Sequence, residues 1–208
     1  MTVHAGLIKR GRKFNQVLDG AREVFMRDGF EGASVDDIAR AAEVSKATLY
    51  SYFPDKRLLF AQVAEIECHR QAEEALEVID MSAPPRLVLR EAARRMIAFI
   101  TSEFGLAVFK ICMAESGRFP ELGKQFYESG PALVKARLAD YLNQSVARNE
   151  LKIDDTDFAA EQFMELSKTY IHPRILCGVQ ITFSDAEITK IVDGAVDMFL
   201  AHYGVTNE

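Results

Sequence analysis

The chain has 208 residues, of which 49% are hydrophobic and 27% charged, as is ordinary for a globular protein of one or two domains. No uninterrupted apolar run approaches the ~20 residues that span a bilayer, and the N-terminus lacks the apolar core of a secretory signal, so we expect a cytoplasmic protein without membrane contact. The three cysteines lie far apart without metal-ligand spacing, which argues against a disulfide framework, a metal site or a cofactor.

The net charge of −6 is divided unevenly along the chain. Residues 1–60 contain ten Lys and Arg against eight Asp and Glu, a balance of +2, whereas the remainder contains fifteen against twenty-three, a balance of −8. Phosphate attraction acts over about 8–10 Å, so a local basic excess is enough to favour nucleic acid. The alternative is a solvated basic tail with no partner. The basic cluster consists of Lys9, Arg10, Arg12 and Lys13.

The first predicted element is a helix from Lys13 to Asp28, because apolar residues recur there at helical spacing. Gly29 follows at the position where a helix commonly ends. The apolar stripe consists of Phe14, Val17, Leu18, Ala21, Val24 and Phe25.

Residues 34–57 predict two short helices joined by a tight turn, followed by the start of another helix. Ser34 is placed to cap the first helix, with Asp37 in the capping-box position, and Ser45 is placed to cap the second. Glu43 lies in the turn, where a left-handed backbone suits Gly best and costs another residue roughly 1 kcal/mol. The first helix is expected to pack through Ile38, Ala39 and Ala42.

The second short helix directs Leu49 inward and leaves a polar and aromatic surface outward. A short helix that carries hydroxyls, aromatic rings and a lysine suits the width of the DNA major groove. The outward residues are Lys46, Ala47, Thr48, Tyr50, Ser51 and Tyr52.

From about Asn15 to Phe60 the sequence resembles the TetR/AcrR family of transcriptional regulators. The resemblance is specific because many positions match at fixed spacing, whereas a lone helix-turn-helix pattern is weak. Residues 114–122 are similar to the C-terminal region of an AefR-like subgroup. The matching N-terminal positions are Ala21 to Phe25, Gly29, Phe30, Ala33 to Ala39, Val44, Ser45, Thr48, Leu49, Tyr50, Tyr52, Phe53, Lys56 and Leu59.

The resemblance implies an all-α protein of about nine helices. It implies a three-helix DNA-binding head with a helix-turn-helix in residues 1–57, and a helical ligand-binding and dimerisation bundle in residues 58–208. The expected partners are double-stranded operator DNA, a second copy of the chain and a small-molecule effector. The implied DNA contacts are Ser34, Ser45, Lys46, Ala47, Thr48, Tyr50, Ser51, Tyr52 and Lys56.

Some of these positions have more than one interpretation. Tyr50 and Tyr52 can donate to phosphate oxygens or pack on thymine methyl groups, but either can instead pack into the three-helix core. Phe53 is expected in that core. Lys56 is expected on a phosphate, because it lies in the first turn of the next helix, where free backbone N–H groups favour an anion.

The rest of the chain also predicts helices, separated by proline, glycine and polar breaks. A long helix after Pro54 runs to about Ile79, and residues 81–85 form the clearest linker, with Pro85 in the first turn of its helix. Asp154 or Asp155 caps a helix that His172-Pro173 interrupts, and Ser184 caps the last one. The predicted helices after the linker cover about 85–100, 104–116, 120–129, 132–148, 157–170 and 185–203.

Helices 157–170 and 185–203 are expected to form a four-helix dimer interface, because their apolar stripes are broad and Gly194 permits close approach. The alternative is that these stripes complete the core of one chain. The predicted interface residues are Phe163, Leu166, Tyr170, Ile188, Ile191, Val192, Ala195 and Phe199.

A cavity of adaptable shape is expected between the helices of residues 56–129, because aromatic side chains and methionine can line one. The alternative is that these residues simply fill the core. An apolar or amphipathic ligand there would move the long helix after Pro54 and release DNA. The predicted ligand contacts are Met96, Phe99, Phe104, Phe109, Met113, Phe126 and Tyr127.

An enzyme is disfavoured, because the chain shows no metal-ligand spacing, phosphate-binding glycine loop or nucleophile elbow. A purely architectural DNA binder usually carries strong positive charge, which this chain lacks. The sequence therefore predicts a ligand-responsive regulator, most simply a repressor that binds a palindromic operator as a homodimer.

Overall fold

The computed structural model describes residues 11–205, except the side chains of residues 75 and 76, and in this part the protein is all-helical. The all-α prediction is confirmed, although the described chain forms eleven helices rather than about nine. An isolated bridge joins Leu151 to Gly204. The helices are α1 (Arg12–Gly32), α2 (Val35–Ala41), α3 (Lys46–Tyr52), α4 (Lys56–Glu77), α5 (Pro85–Thr101), α6 (Glu103–Glu115), α7 (Pro120–Ser129), α8 (Pro131–Ala147), α9 (Thr156–Ser167), α10 (Ile171–Leu176) and α11 (Asp185–Tyr203).

The chain divides into two compact units. The first comprises the residues up to Glu67 together with residues 106–126, and the second comprises residues 68–105 and the residues from Tyr127 onward. The predicted domain boundary between residues 57 and 58 falls in the first turn of α4. The first unit therefore contains the three-helix head, the first half of α4 and most of α6 and α7.

The apolar stripe of α1 is buried in the first unit as predicted: Phe14, Val17, Leu18, Ala21, Val24 and Phe25 all lie in its core. Gly29 interrupts the helix with a φ of 68°, a conformation that favours glycine, before the chain makes a further turn to Gly32. The fully buried carboxylate of Glu67 on α4 accepts a 2.8 Å hydrogen bond from Arg22 Nε on α1.

Gly20 permits a close approach between α1 and the end of α2. A Cβ atom at this position would lie 2.5 Å from the Ala42 nitrogen and 2.7 Å from its Cα, distances at which backbone atoms must move. The small residue therefore determines the separation of the two helices at this point.

The helix-turn-helix has the local structure that its sequence predicts. The Ser34 hydroxyl accepts from the Asp37 N–H at 3.1 Å, and the Ser45 hydroxyl accepts from the Thr48 N–H at 3.1 Å, so both serines cap their helices. Glu43 occupies the turn with a φ of 52°, the left-handed backbone expected at this place.

The second unit contains α5, α8, α9 and α11, and α5 is joined to α11 by a ladder of polar contacts. Arg86 pairs with Asp197 at 2.7 Å and Arg90 pairs with Asp193 at 3.0 Å. The third contact runs from the Arg94 guanidinium to the Thr189 hydroxyl at 2.7 Å. Along these three contacts the residue number rises by four on α5 while it falls by four on α11, so the two helices run antiparallel.

The break after α9 comes earlier than predicted. The helix ends at Ser167, and Tyr170 takes a left-handed backbone with a φ of 54°. Pro173 then lies in the first turn of α10, where its missing N–H breaks no helical hydrogen bond. Asp155 caps α9, and Ser184 with Glu187 forms a complete capping box at the start of α11.

The predicted dimer residues are corrected by their burial. Phe163, Ile191, Val192, Ala195 and Phe199 fill the core of the second unit, where the rings of Phe163 and Phe199 meet edge to face at 5.3 Å. Side chains covered by their own chain do not form an outer surface, so the alternative interpretation holds for these five. Leu166, Tyr170 and Ile188 are partly exposed.

No single helix among residues 11–205 has both the length and the apolar composition to cross a bilayer. Only α5 and α6, taken together as a bent pair, meet that criterion.

Candidate nucleic-acid interface and ligand cavity

The exposed face of α3 carries most of the predicted DNA-contact residues. Leu49 is buried and anchors the helix, whereas Thr48 and Tyr52 are partly exposed. The remaining predicted contacts on or beside α3 are exposed: Ser45, Lys46, Ala47, Tyr50 and Ser51.

The two tyrosines of α3 have different surroundings. Tyr50 is 48% exposed, which removes the alternative that it packs into the head's core. The Tyr52 ring meets Phe14 edge to face at 5.7 Å, so part of it packs on α1 while the rest faces solvent. Phe53 is buried and stacks on Phe14 at 5.5 Å, as predicted.

Hydroxyl groups at the helix-turn-helix already make hydrogen bonds within the chain. The Ser34 hydroxyl donates to the Asp37 carboxylate at 2.5 Å, so its proton is not free for a phosphate, and we interpret Ser34 as a cap. The Ser45 and Thr48 hydroxyls share a 2.9 Å hydrogen bond, and the Ser51 hydroxyl donates to the Thr48 carbonyl at 2.6 Å. The bonds of Ser45, Thr48 and Ser51 are exposed and can exchange with other partners.

Lys56 has a structural role that the sequence did not predict. Its ammonium donates to the carbonyl oxygens of Phe30 at 2.8 Å and Ala33 at 3.1 Å, and it lies 4.3 Å from the centre of the Phe30 ring. An ammonium has three N–H donors, so one donor remains for a phosphate oxygen. Lys56 therefore holds the chain between α1 and α2 in place.

A cluster of alternating charges joins the start of α4 to the end of α6 within the first unit. The Asp55 carboxylate accepts from the Arg57 N–H at 2.8 Å and from its guanidinium, and the Arg57 guanidinium also donates to Glu115 at 2.6 Å. The Arg57 side-chain hydrogen bond holds the pKa of Asp55 below its usual value. Asp55 therefore occupies part of the α4 N-terminus that a phosphate was predicted to use.

The second unit has a small, partly open apolar cavity of about 30 Å³. It holds little more than one water molecule and is far smaller than a site for a drug-sized ligand. Its one hydroxyl belongs to Tyr141, which donates to the Ala83 carbonyl at 3.0 Å. The lining residues come from α5, α8, α9 and the linker: Met81, Val88, Ala92, Ala93, Met96, Val134, Leu138, Tyr141, Phe163 and Met164.

The predicted ligand contacts are not brought together as one cluster. Met96 is the one member of the set that lines the cavity. Phe109 and Phe126 pack on each other in the first unit at 6.2 Å, and Met113 belongs to the same unit. Phe99, Phe104 and Tyr127 lie in the second unit but outside the cavity lining.

Sequence reasoning missed the residues that α8 and α9 contribute to the cavity, and it missed the contact between Arg57 and Glu115. The methionines near α5 and α9 offered a weak signal for the cavity, since methionine suits irregular apolar space. The ion pair joins residues that are 58 positions apart, so no local sequence pattern predicts it.

A short, serine-capped helix with an exposed face, packed with two other helices into a three-helix head, is the arrangement found in helix-turn-helix DNA-binding proteins. A family model described as bacterial regulatory proteins of the TetR family matches residues 17–63, and the C-terminal domain of AefR-like transcriptional repressors matches residues 87–205. The chain belongs to the TetR family, with an AefR-like C-terminal domain. Members of this family regulate transcription and are not enzymes.

Solved structures of family members share the whole fold. A TetR-family regulator from Mesorhizobium loti has a TM-score of 0.78 and 28% identity, covering 93% of this chain and 98% of that one. The flavonoid-responsive regulator FrrA has a TM-score of 0.71 and 36% identity, with the same coverage.

Curated relatives match a shorter part of the chain. The transcriptional repressor AcnR of Corynebacterium efficiens is 36% identical over 62 residues, which are 30% of this chain and 33% of the repressor. The match thus spans about a third of that relative's length.

Proposed function

We propose that the protein is a ligand-responsive transcriptional repressor that binds a palindromic operator as a homodimer. The exposed surface of α3 supports this proposal, because it presents hydroxyl, aromatic and ammonium groups on a short helix of the size that fits the major groove. The AefR-like repressor domain and the similarity to AcnR support repression over activation.

Selection from a randomised duplex pool tests the function. The full-length protein is expected to enrich a sequence with two inverted half-sites about one helical turn apart, since a two-fold dimer repeats its contacts with that symmetry. Recovery of no preferred sequence from the pool, at low salt and without added ligand, would contradict the proposal.

In this function α3 lies in the groove, with Lys46, Ala47, Thr48, Tyr50 and Ser51 next to base edges or phosphates. Tyr52 contacts the DNA backbone with the part of its ring that Phe14 leaves exposed. The Ser45 hydroxyl lies beside the DNA backbone at the start of α3. Lys56 uses its third N–H on a phosphate while it holds the junction of α1 and α2.

Lys56→Met is expected to weaken binding to every duplex and to lower the slope of log K against log salt by about one, because one phosphate contact is lost. Lys56→Arg keeps the charge and should keep most of the slope. Fluorescence anisotropy across a salt series measures both variants. Thermal unfolding is recorded alongside, because both variants disturb the carbonyl contacts, and an unchanged slope in Lys56→Met would restrict the residue to its structural role.

The dimer surface that we propose is the outer face of α9 and α11. One side of α11 faces the core and another faces α5 through Asp193 and Asp197. A third side has every fourth residue exposed, and a Cβ added at Gly194 would meet no other atom. Phe158 of α9 is also exposed. The exposed row on α11 consists of Ala186, Lys190, Gly194, Met198 and His202.

The effector is expected to be an uncharged, apolar or amphipathic molecule that enlarges the cavity of the second unit. The lining has no charged side chain, so a buried ion there would lack a partner. Three methionines in the lining can change rotamer to admit a ligand. The Tyr141 oxygen can accept a hydrogen bond from a hydroxyl group of that ligand. Flavonoids are the first compounds to screen by thermal shift, because FrrA is described as flavonoid-responsive and is 36% identical.

We propose that α4 and the contact of Arg57 with Glu115 transmit the effect of effector binding and so cause release of DNA. Residues of α4 belong to both units. The Glu115 carboxylate at the end of α6 is 14% exposed and accepts from Arg57 in the first turn of α4. A movement of α6 would therefore act on the helix that follows the DNA-binding head.

Glu115→Gln is expected to leave operator affinity within about threefold but to make the effector-induced loss of affinity about five- to tenfold smaller. Glu121→Gln, an exposed change in the same unit, serves as the matched control. Operator titrations with and without a saturating effector measure the coupling. If Glu115→Gln releases DNA as completely as wild type does, this contact does not carry the signal.

A further inference from the structure

Asp36 and Lys46 form an ion pair on the surface shared by α2 and α3. The Asp36 carboxylate lies 2.5 Å from the Lys46 ammonium, and the side chains are 59% and 55% exposed. An ion pair this exposed contributes little to folding, because solvent screens it and two mobile side chains lose freedom. The position of the pair is therefore more informative than its energy: Lys46 is the first residue of the helix that we place in the DNA groove.

All three basic side chains in residues 33–56 of the described structure have partners within the chain. Arg40 pairs with Asp37, whose carboxylate also accepts a hydrogen bond from the hydroxyl of Ser34, the N-cap of α2. Lys56 is held by two backbone carbonyls. The pair of Asp36 and Lys46 differs from these, because separating it disturbs neither a helix cap nor a loop.

A lysine ammonium is charged near neutral pH, and the hydrogen bond from Lys46 to Asp36 raises its pKa further. Lys46 can be attracted to any DNA phosphate, whatever the sequence. A phosphate that approaches this cation also approaches the Asp36 carboxylate, whose negative charge partly cancels the attraction of Lys46 and repels the DNA backbone.

We infer that Asp36 is a positioning residue for sequence discrimination: it keeps Lys46 directed to the groove and away from phosphates, and so weakens binding to non-operator DNA. The inference rests on the proposed function, in which α3 contacts the duplex. In an operator complex, residues at the start of the recognition helix reach base edges. These are neutral acceptors that the Asp36 carboxylate does not repel as it repels a phosphate, so Lys46 can contact them while it stays paired. On other DNA, phosphates are the main partners available.

Asp36→Asn tests this inference, because it removes the charge and keeps the size of the side chain. On a mixed-sequence duplex the variant is expected to bind about two- to fivefold tighter, the range of one exposed charge pair. Its slope of log K against log salt should become steeper by up to about one, because Lys46 then neutralises a further phosphate. The ratio of operator affinity to mixed-sequence affinity should fall by the same factor.

Two comparisons separate this effect from a simple change of net charge. Asp140→Asn removes the same charge from an exposed position on α8 in the other unit. In a Lys46→Met background, Asp36→Asn should have a smaller effect, because Asp36 acts through Lys46. If Asp36→Asn matches Asp140→Asn in slope and ratio, or acts equally without Lys46, the inference is overturned.

The mixed-sequence measurement requires no operator, so the two proposals can fail separately. A wild-type protein that enriches no sequence from the random pool contradicts the proposed repressor. The salt series on mixed-sequence DNA still decides whether Asp36 restrains Lys46.

Discussion

Gly20→Ala is expected to destabilise the DNA-binding head and to reduce operator affinity by at least about tenfold. The added Cβ would lie 2.5 Å from the Ala42 nitrogen, 2.7 Å from its Cα and 2.8 Å from its Cβ. Alanine gains about 1 kcal/mol over glycine inside a helix, but overpacking a close helix contact costs about 1–3 kcal/mol. The steric cost should dominate, because the two nearest obstructing atoms belong to the backbone and cannot rotate away.

The loss of affinity follows from where Ala42 lies. It is the C-cap that directly follows α2, and its N–H donates to the Ile38 carbonyl at 2.9 Å immediately before the turn that leads to α3. If α2 moves outward, α3 moves with it, and a displacement of about 1 Å is enough to disrupt hydrogen bonds to base edges. Urea unfolding and operator titration measure the two effects.

Gly32→Ala is the matched control on the same helix, since its Cβ would meet only the Asp28 Cβ at an ordinary 3.5 Å. The double variant Gly20→Ala with Ala42→Gly removes the Cβ contact but leaves the two backbone contacts, so it should recover only in part. If Gly20→Ala unfolded at the wild-type midpoint and bound the operator normally, the close approach would not determine the position of α2.

Met198→Glu is expected to convert the proposed dimer into a folded monomer with little operator affinity. Met198 is 63% exposed on the free side of α11, where a two-fold interface would bring two copies close together and bury a glutamate from each. Buried like charges without partners are strongly unfavourable. A monomer reads one half-site, so most of the affinity for a palindrome is lost. Light scattering after gel filtration measures the mass.

Phe199→Glu provides the contrast, because Phe199 is only 2% exposed and faces the core. That variant should unfold the second unit, and its elution would say nothing about the interface. Met26→Glu, the same change at an exposed position of α1, should leave the mass unaltered. If Met198→Glu ran at the mass of wild type, the outer face of α11 would not be the dimer surface.

The features that the sequence predicted correctly depend on neighbouring residues. Ser34, Ser45 and Ser184 cap their helices by accepting from an N–H three residues later, so the signal and its partner lie within one helical turn. The left-handed turn at Glu43 is local in the same way. The spacing of apolar residues predicted the buried stripe of α1 and the exposed surface of α3 for the same reason.

The corrected features depend on residues that are distant in sequence. Periodicity marks Phe163 and Phe199 as members of apolar faces, but it does not show whether the same chain or a second copy covers those faces. The placement of Lys56 against Phe30 and Ala33 is likewise decided by packing across 26 and 23 positions.

The amino-acid sequence alone determined the helical class, the caps, the turn of the DNA-binding unit and the family resemblance, because each arises from short-range spacing. The tertiary structure alone decided which side of α11 is exposed, which helices line the cavity and which carboxylate holds Arg57 or Lys46. These outcomes depend on burial and on charge pairs between separate helices, and the final packing of the chain determines both.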